Sequence, residues 1–301
     1  MVSREIQEAM EMLRKSKEES RGVVMTPGRA LADRARIDGI LGSLPPGRGI
    51  TSTRTIREEG LTGEFYTWDE GDPEKLQGRV MLFLHGGGFM NGSVLSRRKL
   101  CHDIQAAAKI DAFSVEYGQW PEEEHPRGLE DCVAAYRWLR SRGYAGRDIC
   151  FFGESAGAML TLTTILYLKD AGEELPGRAL VFSPVAGQEM DLDSHRDREQ
   201  RDPMISYEPV VPYYRHADFF SPYVSPARGD FRGFPRLAVH VGTEEVLFDD
   251  ALLIHRKCRD AGADASLRIW EGLFHVFPLF PSPETDEALR EIGEFFRTAV
   301  I

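Results

Sequence analysis

Gly153-Glu154-Ser155-Ala156-Gly157 has the Gly-x-Ser-x-Gly spacing of a sharp strand-to-helix turn that presents a nucleophilic serine. A serine hydroxyl is a weak nucleophile at neutral pH. A chain that uses one must also supply a base, an acid to orient the base, and donors for the oxyanion. The pentapeptide alone recurs by chance in unrelated chains, so its neighbours decide the matter. Upstream, His85-Gly86-Gly87-Gly88-Phe89 sets three consecutive glycines after an apolar run. Backbone amides there can approach a ligand with no Cβ in the way. Around such a serine, a loop of this type supplies one part of an oxyanion hole, and the amide after the nucleophile, here Ala156, supplies the other. Each donor is worth roughly 2.7–4 kcal/mol of transition-state stabilisation.

The base and acid are sought downstream, because the chain order in α/β-hydrolases is serine, acid, histidine. His195, His216, His240, His255 and His275 all follow Ser155. His275 lies after the last strand-like run and ahead of the terminal helix-like run, where a side chain can reach back over the sheet edge. His240 falls inside a strand pattern and His255 inside a helix pattern, so both are expected to be structural or surface residues. His195 and His216 fall in a polar insertion. Four carboxylates follow the penultimate strand pattern: Glu244, Glu245, Asp249 and Asp250. The aspartates suit the first turn of the next helix, where negative charge complements the dipole. The glutamates lie in the loop, and spacing leaves the choice open.

The scaffold that must hold these residues is legible as strand patterns at 53–58, 64–68, 79–85, 111–117, 148–153, 178–183, 236–242 and 265–270. From the third onward they alternate with helix patterns at 98–109, 129–141, 156–169, 248–261 and 284–298. That alternation predicts an α/β fold, an eight-stranded and mostly parallel sheet covered by helices on both faces. Val80-Met81-Leu82-Phe83-Leu84 and Ile149-Cys150-Phe151-Phe152 are continuously apolar, as strands buried on both sides require. Leu129, Cys132, Val133, Tyr136 and Leu139 form a one-sided helical stripe that needs only packing.

Two stretches break the alternation. Residues 1–50 open with a charged amphipathic helix carrying Ile6, Met10 and Leu13 and end in a breaker run at 44–47. Residues of about 187–222 form a polar, aromatic-rich insertion with Tyr207, Tyr213, Tyr214, Phe219 and Phe220. An insertion at the carboxyl end of a sheet strand lies where open α/β folds bind ligands. The expected organisation is an N-terminal cap segment at 1–50 and an α/β domain at 51–301 whose insertion forms a cap or lid.

Composition narrows the function further. With 301 residues, 42% of them hydrophobic, the chain can bury a large core. A net charge of -11 argues against nucleic acid or an anionic membrane as partner. Cys101, Cys132, Cys150 and Cys258 are scattered, with no C-x-x-C pair or zinc-like spacing, and are expected to be free, mostly buried thiols. The N-terminus has no apolar signal region and no run reaches the length of a membrane span, so a cytoplasmic protein is expected.

These motifs resemble the hormone-sensitive-lipase-like group of α/β-hydrolase serine esterases, from about residue 40 to the C-terminus. His85 to Phe89 is similar to that group's oxyanion signature, and Glu116-Tyr117 with Pro121-Glu122 resembles its Asp-Tyr-Arg-Leu-Ala-Pro-Glu segment. Ser183-Pro184, Asp202-Pro203, Ser225-Pro226 and Phe234-Pro235 also have counterparts there. The group's acid is usually the aspartate of Gly-x-x-Asp-x-Leu-x-Asp; aligning Gly242, Leu247 and Asp249 puts Glu245 at that position. Glu154 and Ala158 are further departures, standing where the group often has aspartate and glycine.

The resemblance implies oxyanion donors at Gly87, Gly88 and Ala156, and a catalytic set of Ser155, Glu245 and His275. The expected activity is hydrolysis of short- to medium-chain carboxylic esters, with no metal or organic cofactor required. Phe89, Met90 and Trp120 are candidates for an apolar substrate pocket. Activity is expected to rise through about pH 6–7 as the base loses its proton. An amidase, formamidase or peptidase would use the same triad, and a ligand-binding receptor would share the scaffold without turnover. The resemblance and the general frequency of two-fold dimers imply a homodimer.

Overall fold

A computed structural model describes residues 2–45, 47, 49–58 and 60–298. Two helices come first, α1 (Arg4–Glu19) and α2 (Pro27–Leu41). The Ser3 hydroxyl caps α1 by accepting the Ile6 N–H, and Thr26 caps α2 by accepting that of Arg29, with Pro27 in the first turn. The sequence pattern does not predict helix α2. Ala30 is its one fully buried residue among those described, so it carries no apolar stripe to read. Of the breaker run at 44–47, Pro46 lies outside the described residues.

The chain continues through β1 (Ile50–Glu58), β2 (Leu61–Trp68), β3 (Val80–Leu84), α3 (Val94–Ala108), β4 (Asp111–Glu116), α4 (Arg127–Ser141), β5 (Ile149–Glu154) and α5 (Ala156–Asp170). It closes with β6 (Arg178–Phe182), the short α6 (Asp193–Asp197), β7 (Arg236–Gly242), α7 (Phe248–Asp260), β8 (Ala265–Trp270) and α8 (Pro283–Arg297). All eight expected strands are present. Strands β1 and β2 begin three residues earlier than the alternation suggests, because their antiparallel pairing sets Ile50 opposite Trp68 and Glu58 opposite Leu61.

One sheet holds them in the order β1-β2-β4-β3-β5-β6-β7-β8. β1, β2 and β4 pair antiparallel, and every later pairing is parallel. Strand β3 shows why its sequence is continuously apolar. Val80, Leu82 and Leu84 belong to one buried cluster, which includes residues of α4, α5 and α7, and Met81 and Phe83 belong to a second, which includes residues of α1, α3 and α8. The four cysteines are buried free thiols. Among the described residues, no helix is long and apolar enough to cross a membrane.

The strand order reverses direction at β3 and β5: α3 leads outward from β3 to β4, and α4 returns across to β5. Such a switch point opens a crevice at the carboxyl ends of the two strands. The triple glycine follows β3 there, and Ser155 follows β5.

Candidate active site

Ser155 sits between the last residue of β5 and the first of α5 with φ 54° and ψ -120°. A non-glycine residue in this region is strained by about 1–3 kcal/mol and is held there only by its surroundings. The turn is tight enough that a Cβ on Gly157 would come within 2.0 Å of the Leu84 carbonyl oxygen, which explains the small residue at that position. The Ser155 N–H is fixed by the Phe182 carbonyl at 2.9 Å. The side chain is thereby turned toward the loop after β8.

That loop brings His275 to it. His275 Nε2 lies 2.9 Å from Ser155 Oγ, and Nδ1 lies 3.1 Å from Glu245 Oε2. The other carboxylate oxygen, Oε1, accepts from the Gly242 N–H at 2.6 Å and from the Ser183 hydroxyl at 2.8 Å. Glu245 is fully buried, and His275 nearly so. Burial alone would lower the His275 pKa, but the hydrogen bond and charge of Glu245, followed by the charges of Asp202 and Glu154, carry it above the ordinary histidine value.

The other carboxylates left open by the sequence are engaged elsewhere. Glu244 pairs with Arg201 at 2.6 Å, which holds its pKa below the usual range. Asp249 accepts the Ser194 N–H at 2.9 Å. Buried Asp250 takes His195 Nε2 at 2.6 Å and the Ala186 N–H at 2.8 Å. The other histidines also stand apart from Ser155. His240 is enclosed beside Trp270 and burial pushes its pKa down to about 3. His216 is exposed and pairs with Glu124, and His255 is half-buried on α7.

On the opposite side of the crevice, Gly87 and Gly88 have φ values of 118° and 62°. Gly87 is crowded as well, since a Cβ there would lie 2.2 Å from the Gly92 nitrogen. Neither amide donates to a protein acceptor among the described residues. The Gly86 N–H donates to the Glu154 carboxylate, which Arg97 Nε also contacts at 2.9 Å. Glu154 therefore ties the glycine loop to the turn that carries Ser155. Ala156 opens α5, where the helix dipole adds positive potential.

The residues expected to line a substrate pocket are all buried in packing around the glycine loop. Phe89 stacks on Tyr213 at 5.0 Å and meets Tyr214 edge-on at 4.9 Å; Met90 and Trp120 are enclosed beside it. Tyr213 and Tyr214 are thus the interior of the insertion, whereas Phe220 faces solvent. No cluster of three or more potential metal ligands is found among the described residues.

Comparison with known proteins follows the same geometry. A family model described as alpha/beta hydrolase fold matches residues 81–279. An acetyl-hydrolase from Streptomyces hygroscopicus is 34% identical over 280 residues, covering 91% of this chain and 90% of that protein. A solved esterase from the bacterial hormone-sensitive lipase family is 32% identical with a TM-score of 0.88, covering 99% of this chain and 98% of that one. The chain belongs to the hormone-sensitive-lipase-like family of α/β-hydrolases. A further solved structure, EstE5 soaked by p-nitrophenyl butyrate, is 29% identical with a TM-score of 0.88 over 98% of both chains.

Within this hormone-sensitive-lipase-like chain, two polar residues that the sequence marks only as motif counterparts support the triad loops. Ser183, directly after β6, bridges the acid loop and the base loop, donating to Glu245 and accepting from the Val276 N–H at 3.3 Å. Asp202 accepts the Val246 N–H at 3.1 Å, one residue beyond Glu245. Both precede a proline, and that dipeptide is the signal the sequence offers for them.

Proposed function

We propose that this protein is a serine carboxylesterase acting through an acyl-enzyme. His275 takes the Ser155 proton as Oγ forms a bond to the ester carbonyl carbon, and Glu245 orients the ring and stabilises the imidazolium. The carbonyl oxygen becomes an oxyanion held by the amides of Gly87, Gly88 and Ala156. On collapse the carbon–alkoxy bond breaks and the alcohol leaves with the proton from His275. Water then repeats the sequence, its proton passing to His275 and back to Ser155 as the acid departs.

The observation that carries this reading is the unbroken line from Ser155 Oγ to His275 Nε2 at 2.9 Å and from His275 Nδ1 to Glu245 at 3.1 Å. Its chain order matches that of the family. We further propose that residues 1–50 and the insertion at about 187–222 form the cap. Lys17 of α1 supports this by donating to the carbonyls of Glu199, Asp202 and Ile205 at 2.8, 3.0 and 2.7 Å.

Short- to medium-chain acyl groups are the proposed substrates. The acetyl-hydrolase name of one relative supports this chain-length range. A homodimer completes the proposal, supported by the general frequency of two-fold assemblies.

A panel of p-nitrophenyl esters from acetyl to palmitoyl, run beside a matched p-nitroanilide, tests it. Fastest turnover in the short to middle of the ester series is expected. A maximum at palmitoyl would overturn the chain-length assignment, faster anilide cleavage would indicate an amidase, and ligand binding with no turnover would indicate a receptor.

A further inference from the structure

The glycine loop holds three successive residues at positive φ, and the third, at 61°, is Phe89. A side chain there is strained and persists only where the surroundings over-determine the backbone. Part of the restraint is internal: the Met90 and Asn91 N–H groups donate to the Gly87 carbonyl at 3.1 and 2.8 Å, and the Trp120 N–H donates to that of Phe89 at 3.0 Å. Gln119 Nε2 adds a bond to the Gly92 carbonyl at 2.8 Å. The rest arrives from the far end of the sequence.

Arg34, on α2, donates through Nε to the Met90 carbonyl at 2.9 Å and through Nη2 to the Trp120 carbonyl at 2.8 Å. Nη1 completes the fork on Glu122 Oε1 at 2.8 Å. The guanidinium side chain is only 17% exposed. Its planar donor array meets two carbonyls and a carboxylate at once, a geometry an ammonium group cannot reproduce. The two carbonyls belong to the same pair of segments that Phe89 and Trp120 already join, so Arg34 clamps the glycine loop to the 117–122 loop.

We infer that Arg34 is a positioning residue for the reaction: from the N-terminal segment it fixes the Phe89-Met90 backbone and thereby holds the Gly87 and Gly88 amides where the oxyanion develops. The inference rests on the esterase reading. Arg34 touches neither amide and acts through the backbone between them. Because those donors strengthen as charge builds on the oxygen, their displacement lowers kcat more than it changes KM. The N-terminal helices and the oxyanion hole then form one mechanical unit, and displacement of α2 loosens the hole.

The test uses the full chain and p-nitrophenyl butyrate, comparing wild type with Arg34→Ala, Arg34→Lys and, as a control on the same helix, Arg36→Ala. Loss of one oxyanion donor costs about 10²–10³ in kcat, so partial misplacement in Arg34→Ala is expected to cost about 10–100-fold. KM should stay within about threefold, and affinity for a trifluoromethyl ketone, which forms a tetrahedral adduct with the serine, should fall with kcat. Guanidinium added well below unfolding concentrations should restore part of the loss. Arg34→Lys, with the charge but not the fork, should remain impaired, and Arg36→Ala should match wild type.

A kcat within twofold of wild type in Arg34→Ala, a rise in KM alone, or full activity in Arg34→Lys would overturn the inference. So would a loss that tracks the fraction of unfolded protein and resists guanidinium. A wild type that turns over no ester sinks the esterase reading itself, whereas an active wild type with an equally active Arg34→Ala sinks only this inference.

Discussion

The hydroxyl of Ser183 donates to Glu245 Oε1 at 2.8 Å, on the side of the carboxylate facing away from His275. The same oxygen atom of Ser183 accepts the Val276 N–H at 3.3 Å, so one side chain sets the acid loop in register with the base loop. In Ser183→Ala the buried carboxylate keeps the Gly242 N–H but loses its second donor. Stability is expected to fall by about 1–3 kcal/mol, read as a shift in urea midpoint. The kcat for a short ester should fall by about tenfold, a fraction of the 10²–10⁴ that a well-placed general base supplies.

Glu245 carries two separable properties, charge and reach. Glu245→Gln keeps the shape but can offer its amide to the imidazole, favouring the wrong tautomer, and a loss in kcat of about 10⁴ is expected by analogy with the corresponding change in serine proteases. Glu245→Asp keeps the charge on a side chain one methylene shorter. With the existing contact already at 3.1 Å, the aspartate variant should be impaired by less than Glu245→Gln and should retain a measurable acid limb. Steady-state kinetics on both variants checks the order.

The pH profile follows from the direction of the His275 shift. Burial favours the neutral ring, but Glu245, Asp202 and Glu154 together hold the pKa above its ordinary value. Catalysis needs the neutral base, so the acid limb should have its midpoint above about 6.5, the unperturbed histidine value, and Glu245→Gln should move it down. The same shift has a stability consequence. With a folded pKa above the unfolded one, the contribution is complete below about pH 6.5 and is lost as pH rises through the folded pKa. Rate–pH profiles and denaturation midpoints across that range measure the two effects separately.

Much of this was legible in the chain because its signals are local. Continuous apolar runs gave β3 and β5, and the Gly-x-Ser-x-Gly turn between strand and helix located Ser155. His275 was found from chain order and its position after the last strand. The acid was less legible, since Glu244 and Glu245 are adjacent and identical in type. They differ in what surrounds them: Arg201 draws the first outward, and the Gly242 amide and Ser183 receive the second. Helix α2 went unread because it is held by its ends and by polar bonds rather than by an apolar stripe. Arg34, Ser183 and Asp202 act through contacts distant in sequence, which periodicity does not encode.

Lys17 offers a test of the proposed cap. Its ammonium group serves three carbonyls of the insertion and pairs with the Glu199 carboxylate at 3.3 Å. Lys17→Met leaves those carbonyls without their charged donor, and a loss of about 1–3 kcal/mol in urea denaturation is expected. The aromatic residues between 207 and 220 should become more readily cleaved by chymotrypsin. Unchanged cleavage would mean that α1 does not restrain the insertion.

A fluorophosphonate probe followed by peptide mapping tests whether Ser155 is the acylated nucleophile. Label is expected on the peptide containing Ser155, with loss of esterase activity in proportion to labelling and no reaction in Ser155→Ala. Label on a different residue, or ester turnover that persists in Ser155→Ala, would contradict it.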